Sequence, residues 1–167
     1  GFKVGIGTLI STACIEFLLE QDIEAVDSAA CAEKWPSWED MEMHIRQIFK
    51  DKPGHLSRAL KESKDKYADK EEIARQIEAI KEAWPSLKPR MEKQIMPFGV
   101  VHENLRLVGA PYEPEMISVS RERLRQTLKY IPYMRSRFTC IDVLHRMGLL
   151  SEFEQKLFGK GGIWEIV

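Results

Sequence analysis

Strand signals are missing from this sequence. None of its 167 residues belongs to a useful run with period-two alternation, and no Asn-Gly or Asp-Gly pair marks a hairpin. An excess of charge is missing too: Lys and Arg total 25 against 26 for Asp and Glu, a net charge of −1. Such a balance supplies no general drive toward nucleic acid or an anionic membrane, so neither is expected as a partner. Long hydrophobic runs are absent. The most apolar stretch, Val4 to Leu19, is interrupted by Gly5, Gly7 and Glu16 and is too short to span a bilayer. No charged-then-apolar secretion signal with a small-residue cleavage site is present. Cysteine is scarce. Cys14, Cys31 and Cys140 are odd in number and widely spaced, and read as reduced, partly buried thiols in a cytoplasmic protein.

What is present is a globular composition, 44% hydrophobic and 31% charged, of a length suited to one domain. The mean hydropathy is −0.33. Almost every segment carries helical periodicity, so the expected fold class is all-α: a bundle of about eight helices forming a single helical domain over residues 1–167. The first segment, about Lys3 to Glu20, is nearly uncharged and rich in small residues, and reads as the buried central helix. The sequence opens inside this apolar segment and has no initiator Met. It therefore reads as a piece of a longer chain, cut on its N-terminal side.

Capping chemistry divides the rest. Asp22 is an expected N-cap for a helix to Lys34. Ser37 with Asp40, Asp69 with Glu72, Thr139 with Asp142 and Ser151 with Glu154 have the spacing of capping boxes. Glu62 and Lys66 are spaced to pair along one helix. Trp84-Pro85 is expected to close the helix that starts at Asp69, with a second helix beginning near Leu87. Trp84-Pro85-Ser86 also echoes Trp35-Pro36-Ser37, a hint of duplication; in the plainer reading each Trp packs over a helix entry that Pro fixes and Ser caps. Gly148 is placed to terminate the helix after Thr139, and Ile163 to Val167 reads as a short tail.

Few residues suggest chemistry. His44, His55, His102 and His145 form no i,i+4 pair. Gly5-x-Gly7 and Gly159-Lys160-Gly161-Gly162 lack the strand or helix that a phosphate loop requires. A helix-turn-helix reader is disfavoured by the long Ile131–Phe138 connection and by the absence of basic excess. Arg121 and Arg125 share a helix face, which reads as wetted surface. Arg135 and Arg137, in a loop before the Thr139 helix start, could instead receive an anion, because helix N–H groups add to their potential. The competing reading pairs both with carboxylates of neighbouring helices.

Gly1-Phe2-Lys3-Val4 with Gly7 resembles the His-Gly-x-Lys-Val-x-x-Gly stretch at the last metal-binding histidine of the iron-containing-type polyol dehydrogenases. Gly109-Ala110-Pro111, Pro114-Glu115 and Ser120-Arg121-Glu122 resemble a further segment of the same family. Arg135-Ser136-Arg137-Phe138-Thr139, Asp142-Val143-Leu144 and Gly148-Leu149-Leu150 extend the likeness, which is nearest to the sn-glycerol-1-phosphate dehydrogenase branch. The charged middle, from about Trp35 to Lys93, is specific to a subgroup. The resemblance implies an N-terminal nucleotide-binding half that takes NAD(P), and a helical half that holds a divalent metal (zinc, nickel or iron) and reduces dihydroxyacetone phosphate or a related ketone. No catalytic, cofactor or metal ligand of that pattern falls within this chain. The chain alone is therefore expected to be inactive, to bind no cofactor, and to partner the missing half or further copies of itself. Candidates to receive the substrate phosphate are Lys3, Arg135 and Arg137. The alternative function is a helical interaction or scaffolding module.

Overall fold

The first helix, α1 (Phe2–Glu20), supplies the surface on which the others gather. Ile6, Leu9, Ile10, Ala13, Cys14, Phe17 and Leu18 recur at helical spacing and are all buried. Each large aliphatic or aromatic side chain in this stripe contributes about 1.5–3 kcal/mol by leaving water. The helix is therefore central, as its composition implies. One flank stays open: Val4, Gly7, Thr8 and Ser11 are exposed. The computed structural model describes residues 1–166, the Phe2 side chain excepted.

The remaining helices are α2 (Ser28–Lys34), α3 (Trp38–Ile48), α4 (Pro53–Lys66), α5 (Lys70–Gln94), α6 (Phe98–Leu107), α7 (Arg121–Leu128), α8 (Cys140–Arg146) and α9 (Leu150–Phe158). Short 3-10 turns lie at Ile23–Ala25, Pro114–Ile117 and Ile131–Tyr133. No strand occurs among the described residues, and the architecture is an all-α bundle. No helix is long and apolar enough to cross a membrane. α1 packs on α6 and α8, α2 on α5, α3 on α4, and α9 on both α7 and α8.

Gly5 explains how α6 and the loop after it approach α1. A β-carbon there would sit 3.1 Å from the Pro111 carbonyl oxygen and 3.8 Å from Leu105. Gly7, two residues later, faces open space. Gly148, with φ +72°, closes α8 in the left-handed conformation that glycine adopts freely. Its N–H bonds the His145 carbonyl at 3.2 Å and that of Leu149 bonds Leu144 at 2.8 Å, the two bonds of a Schellman turn.

Several local expectations are corrected. Asp22 caps only the 3-10 turn, and α2 starts later, with Asp27 accepting from the Ala30 N–H at 2.9 Å. α5 does not stop at Trp84-Pro85 but runs through Pro85 and Pro89. The two prolines are four residues apart and both exposed, so the carbonyls they leave without a donor lie on the wetter side of the helix. Burial of Ile73, Ile77 and Trp84 on the other side holds the helix together. The Trp-Pro-Ser echo is consequently not a structural repeat: Ser37 caps α3, whereas Ser86 lies inside α5 and donates to the Ala83 carbonyl. Ser151 is not a cap either, since α9 already begins at Leu150, and Glu154 bonds Arg125 at 2.6 Å. The tail is fastened rather than loose: Trp164 is fully buried and its backbone N–H donates to the Leu157 carbonyl at 2.7 Å. Val167, the end of that tail, lies outside the described residues.

The two glycines of α1 should respond in opposite ways. Gly5→Val forces a branched side chain against the Pro111 backbone and is expected to lower stability by about 2 kcal/mol. Gly7→Ala meets nothing and should raise it by about 0.5–1 kcal/mol through helix propensity. Urea unfolding of both variants checks this; a neutral Gly5→Val would show that α6 does not approach α1 as described.

Candidate functional site

The densest set of buried polar groups surrounds α8. Asp142 sits in the first turn of that helix, and its carboxylate accepts from the Thr139 backbone N–H at 2.8 Å and the Thr139 hydroxyl at 2.9 Å. This is the capping arrangement expected from the Thr139–Asp142 spacing, and it favours a negative charge at the helix start. The other carboxylate oxygen receives Lys66 Nζ, from the end of α4, at 2.6 Å. Only 13% of the Lys66 side chain and 6% of the Asp142 side chain remain exposed. Glu62, the partner expected for Lys66 within α4, instead accepts from the Ser136 backbone N–H at 2.6 Å and pairs with Arg58 at 3.4 Å. Lys66 points into the bundle and Glu62 along its surface.

Behind this pair lies a small cavity of about 20 Å³, room for a water molecule, lined by Trp35, Ser63, Tyr133 and His145 among others. The His145 ring packs 5.0 Å from Trp35 and 5.8 Å from Tyr133. Burial pushes His145 down to about 4; Asp142 opposes this, whereas Lys66, Arg146 and His44 add to it. Burial likewise pushes the Tyr133 phenol up to about 12. Both groups are uncharged near neutral pH, far from the poise that proton transfer requires. The set is built to hold helices together rather than to move protons.

Arg146, in the last turn of α8, forms the partition between that cavity and an outer groove. It keeps 7% of its surface, and its Nη2 donates to the Lys66 carbonyl at 3.2 Å. The guanidinium stacks on the Phe138 ring, 4.6 Å from the centroid. The groove, of about 420 Å³, runs between the end of α4, the α5 surface at Gln76 and Ile80, and the 135–138 loop. Gln76 Oε1 is sealed in its wall without a donor.

The phosphate candidates fall in different places. Lys3 is exposed on the first turn of α1, near the Gly5 contact with Pro111. Arg135 and Arg137 are exposed on a loop tied to α4 by Ser136 and to α8 by Phe138. The observed contacts bring neither arginine to Lys3. Neither forms an ion pair among the described residues. Arg121 and Arg125 do: Arg121 bonds Glu115 at 3.0 Å and the Glu165 carbonyl at 3.0 Å, and Arg125 bonds Glu154. The sequence pattern assigns Lys66 to a pair with Glu62, gives His145 no ligand geometry and does not single out Arg146. The Thr139–Asp142 cap was a signal for one partner, but nothing local indicates that Lys66 comes to it from 76 residues away.

The three thiols are unbridged. Cys14 on α1 and Cys140 at the start of α8 adjoin, and the neighbouring thiol together with burial holds Cys14 protonated, above the usual thiol range. Among the described residues, no three His, Cys, Asp or Glu side chains converge as metal ligands. A second open region borders α1, where Val4, Thr8 and Ser11 face Met96 and Val101 across a depression of about 600 Å³. No protein family, curated protein or solved structure matches this chain.

His145 makes stability sensitive to acid in a defined window. Its folded pKa, about 4, lies below the unfolded value of 6.5, so its neutral form contributes fully above pH 6.5 and that contribution falls as pH drops toward 4. His145→Phe keeps a ring in the Trp35 contact and removes the titration. Between pH 7.5 and 4.5 the urea midpoint of the parent protein should fall more steeply than that of the variant. Parallel curves would show that His145 is solvated.

Proposed function

We propose that this chain is the distal part of the helical domain of a metal- and NAD(P)-dependent oxidoreductase. The reaction is reduction of dihydroxyacetone phosphate to sn-glycerol-1-phosphate, or a similar polyol reaction. The observation that carries this reading is the way the resembling segments, scattered over the sequence, meet one another. The α1 start touches Pro111 of the Gly-Ala-Pro segment through Gly5. Glu115 of the Pro-Glu segment pairs with Arg121 of the Ser-Arg-Glu segment, and Ser120 caps α7. Thr139 and Asp142 cap α8, and Gly148 ends it. Each motif has a structural task, and together they frame α1.

The metal and nucleotide ligands of the family pattern have no counterparts in this chain, and what the chain supplies to the reaction is position. α1 is a 19-residue helix whose first turn carries no capping side chain and no acidic residue. Its unpaired N–H groups and the adjacent Lys3 ammonium favour an anion at that end. The start of α8, by contrast, is already occupied by its own Asp142 carboxylate. This supports Lys3 over Arg135 and Arg137 as the residue that receives a substrate phosphate. The open α1 flank, with Val4 68% exposed, fits a surface that further polypeptide covers. The same flank is what favours the second reading, an interaction module.

Two tests separate these. Calorimetry of this chain with zinc, nickel or iron should show no tight stoichiometric site; one well-coordinated metal held by this chain would overturn the fragment reading. The reading frame extended upstream of Gly1 should encode a nucleotide-binding half and oxidise NAD(P)H in the presence of dihydroxyacetone phosphate. In that enzyme Lys3→Ala should cost roughly 2–4 kcal/mol in kcat/KM for the phosphorylated substrate and little for dihydroxyacetone. Equal losses would make Lys3 a structural residue, and an extended protein with no nucleotide-binding half would favour the interaction module.

A further inference from the structure

Arg146 is a buried guanidinium with unused donors. Its five N–H groups have one bonded protein acceptor, the Lys66 carbonyl. No carboxylate of the described residues comes within 4.0 Å of it. Its neighbours explain why. Asp142 is held by Lys66 and Thr139, and Glu72 by Arg75 and Gln76. Arg146 lines both the inner cavity and the outer groove, and its donors other than the one on the Lys66 carbonyl have no protein acceptor. The guanidinium lies over the Phe138 ring, and 49% of that residue remains exposed at the groove.

We propose that the groove between α4, α5 and the 135–138 loop binds a small organic oxyanion, its acidic head on the free edge of Arg146 and a flat apolar body between Phe138 and Ile80. The planar, two-donor edge of a guanidinium is suited to a two-oxygen head, whether carboxylate or phosphate. Phe138, Ile80 and Ala79 give the apolar walls, and the volume of about 420 Å³ is that of a ligand pocket. Lys66 is already paired with Asp142, so Arg146 faces Asp65 across the groove, and the positive excess comes from the exposed Arg135 and Arg137, which flank Ser136 and Phe138 on the loop that forms its edge. The site stands apart from the α1 end and does not depend on the dehydrogenase reading.

The test is an NMR titration of the whole isotope-labelled chain with phenyl phosphate, benzoate, inorganic phosphate and benzyl alcohol. At least one aromatic anion should saturate, shifting residues 136–138, 76–80 and the Arg146 side chain; which of the two binds more tightly assigns the head group. Benzyl alcohol, which lacks the charge, should not saturate. Arg146→Met should weaken the better anion by about tenfold or more. Phe138→Ala, at a position 49% exposed, should weaken the aromatic anions several-fold more than inorganic phosphate. Should Arg146→Met fail to fold, Arg146→Lys, which loses the two-point contact, carries the same expectation alongside Phe138→Ala. Absence of saturation by both aromatic anions, equal binding of benzyl alcohol, or affinities indifferent to these substitutions would overturn the assignment.

Discussion

The buried ion pair between Lys66 and Asp142 is the constraint on which the polar half of the protein rests. Two opposite charges taken out of water cost several kcal/mol each, and that cost is recovered only when every lone pair and proton is used. Here Asp142 has three donors at 2.6–2.9 Å from Lys66 and Thr139. Satisfying the carboxylate therefore fixes three things together: the end of α4, the start of α8, and the rotation of α8 about its axis. That rotation turns His145 to the cavity and Arg146 to the groove. A purely apolar contact would leave this register far less sharply defined.

The apolar half is organised by α1. Its inner stripe draws α6, α8 and the Pro114–Ile117 turn against it, and Gly5 lets the Pro111 carbonyl come closer than most β-carbons allow. The two halves meet where Cys14 adjoins Cys140, at the first residue of α8. The start of α8 is thus held from one side by packing on α1 and from the other by charge on α4. The groove beside Arg146 follows from this arrangement: Asp142 and Glu72, the carboxylates whose charge bears on Arg146, are already committed, and this buried guanidinium is left with donors to offer.

Much of the fold was legible in the sequence because it is written in local rules. The stripe of α1, the caps at Ser37, Asp69, Ser120 and Thr139, and the stop at Gly148 each depend on residues within one or two turns. What misled was also local. Proline at 85 and 89 reads as a break, yet burial of Ile73, Ile77 and Trp84 on the opposite face outweighs two missing hydrogen bonds. Glu62 and Lys66 have the spacing of a surface pair, yet each is claimed by a residue more than seventy positions away. Lys3, Arg135 and Arg137 were visible as isolated cations, but their separation is a property of topology. Lys66, Arg146 and His145 acquire their character only when α4 and α8 come together, and no spacing rule within either helix announces that.

A double-mutant cycle between Lys66 and Asp142 tests the account most directly. Lys66→Met and Asp142→Asn each leave a partner buried without its counter-charge, and each should destabilise by about 3 kcal/mol. The double variant, with neither charge left, should lose scarcely more than one of them, giving a coupling of about 2 kcal/mol or greater in urea unfolding. Losses that simply add would mean that the two side chains do not meet in the interior, and that α8 is oriented by something other than this pair.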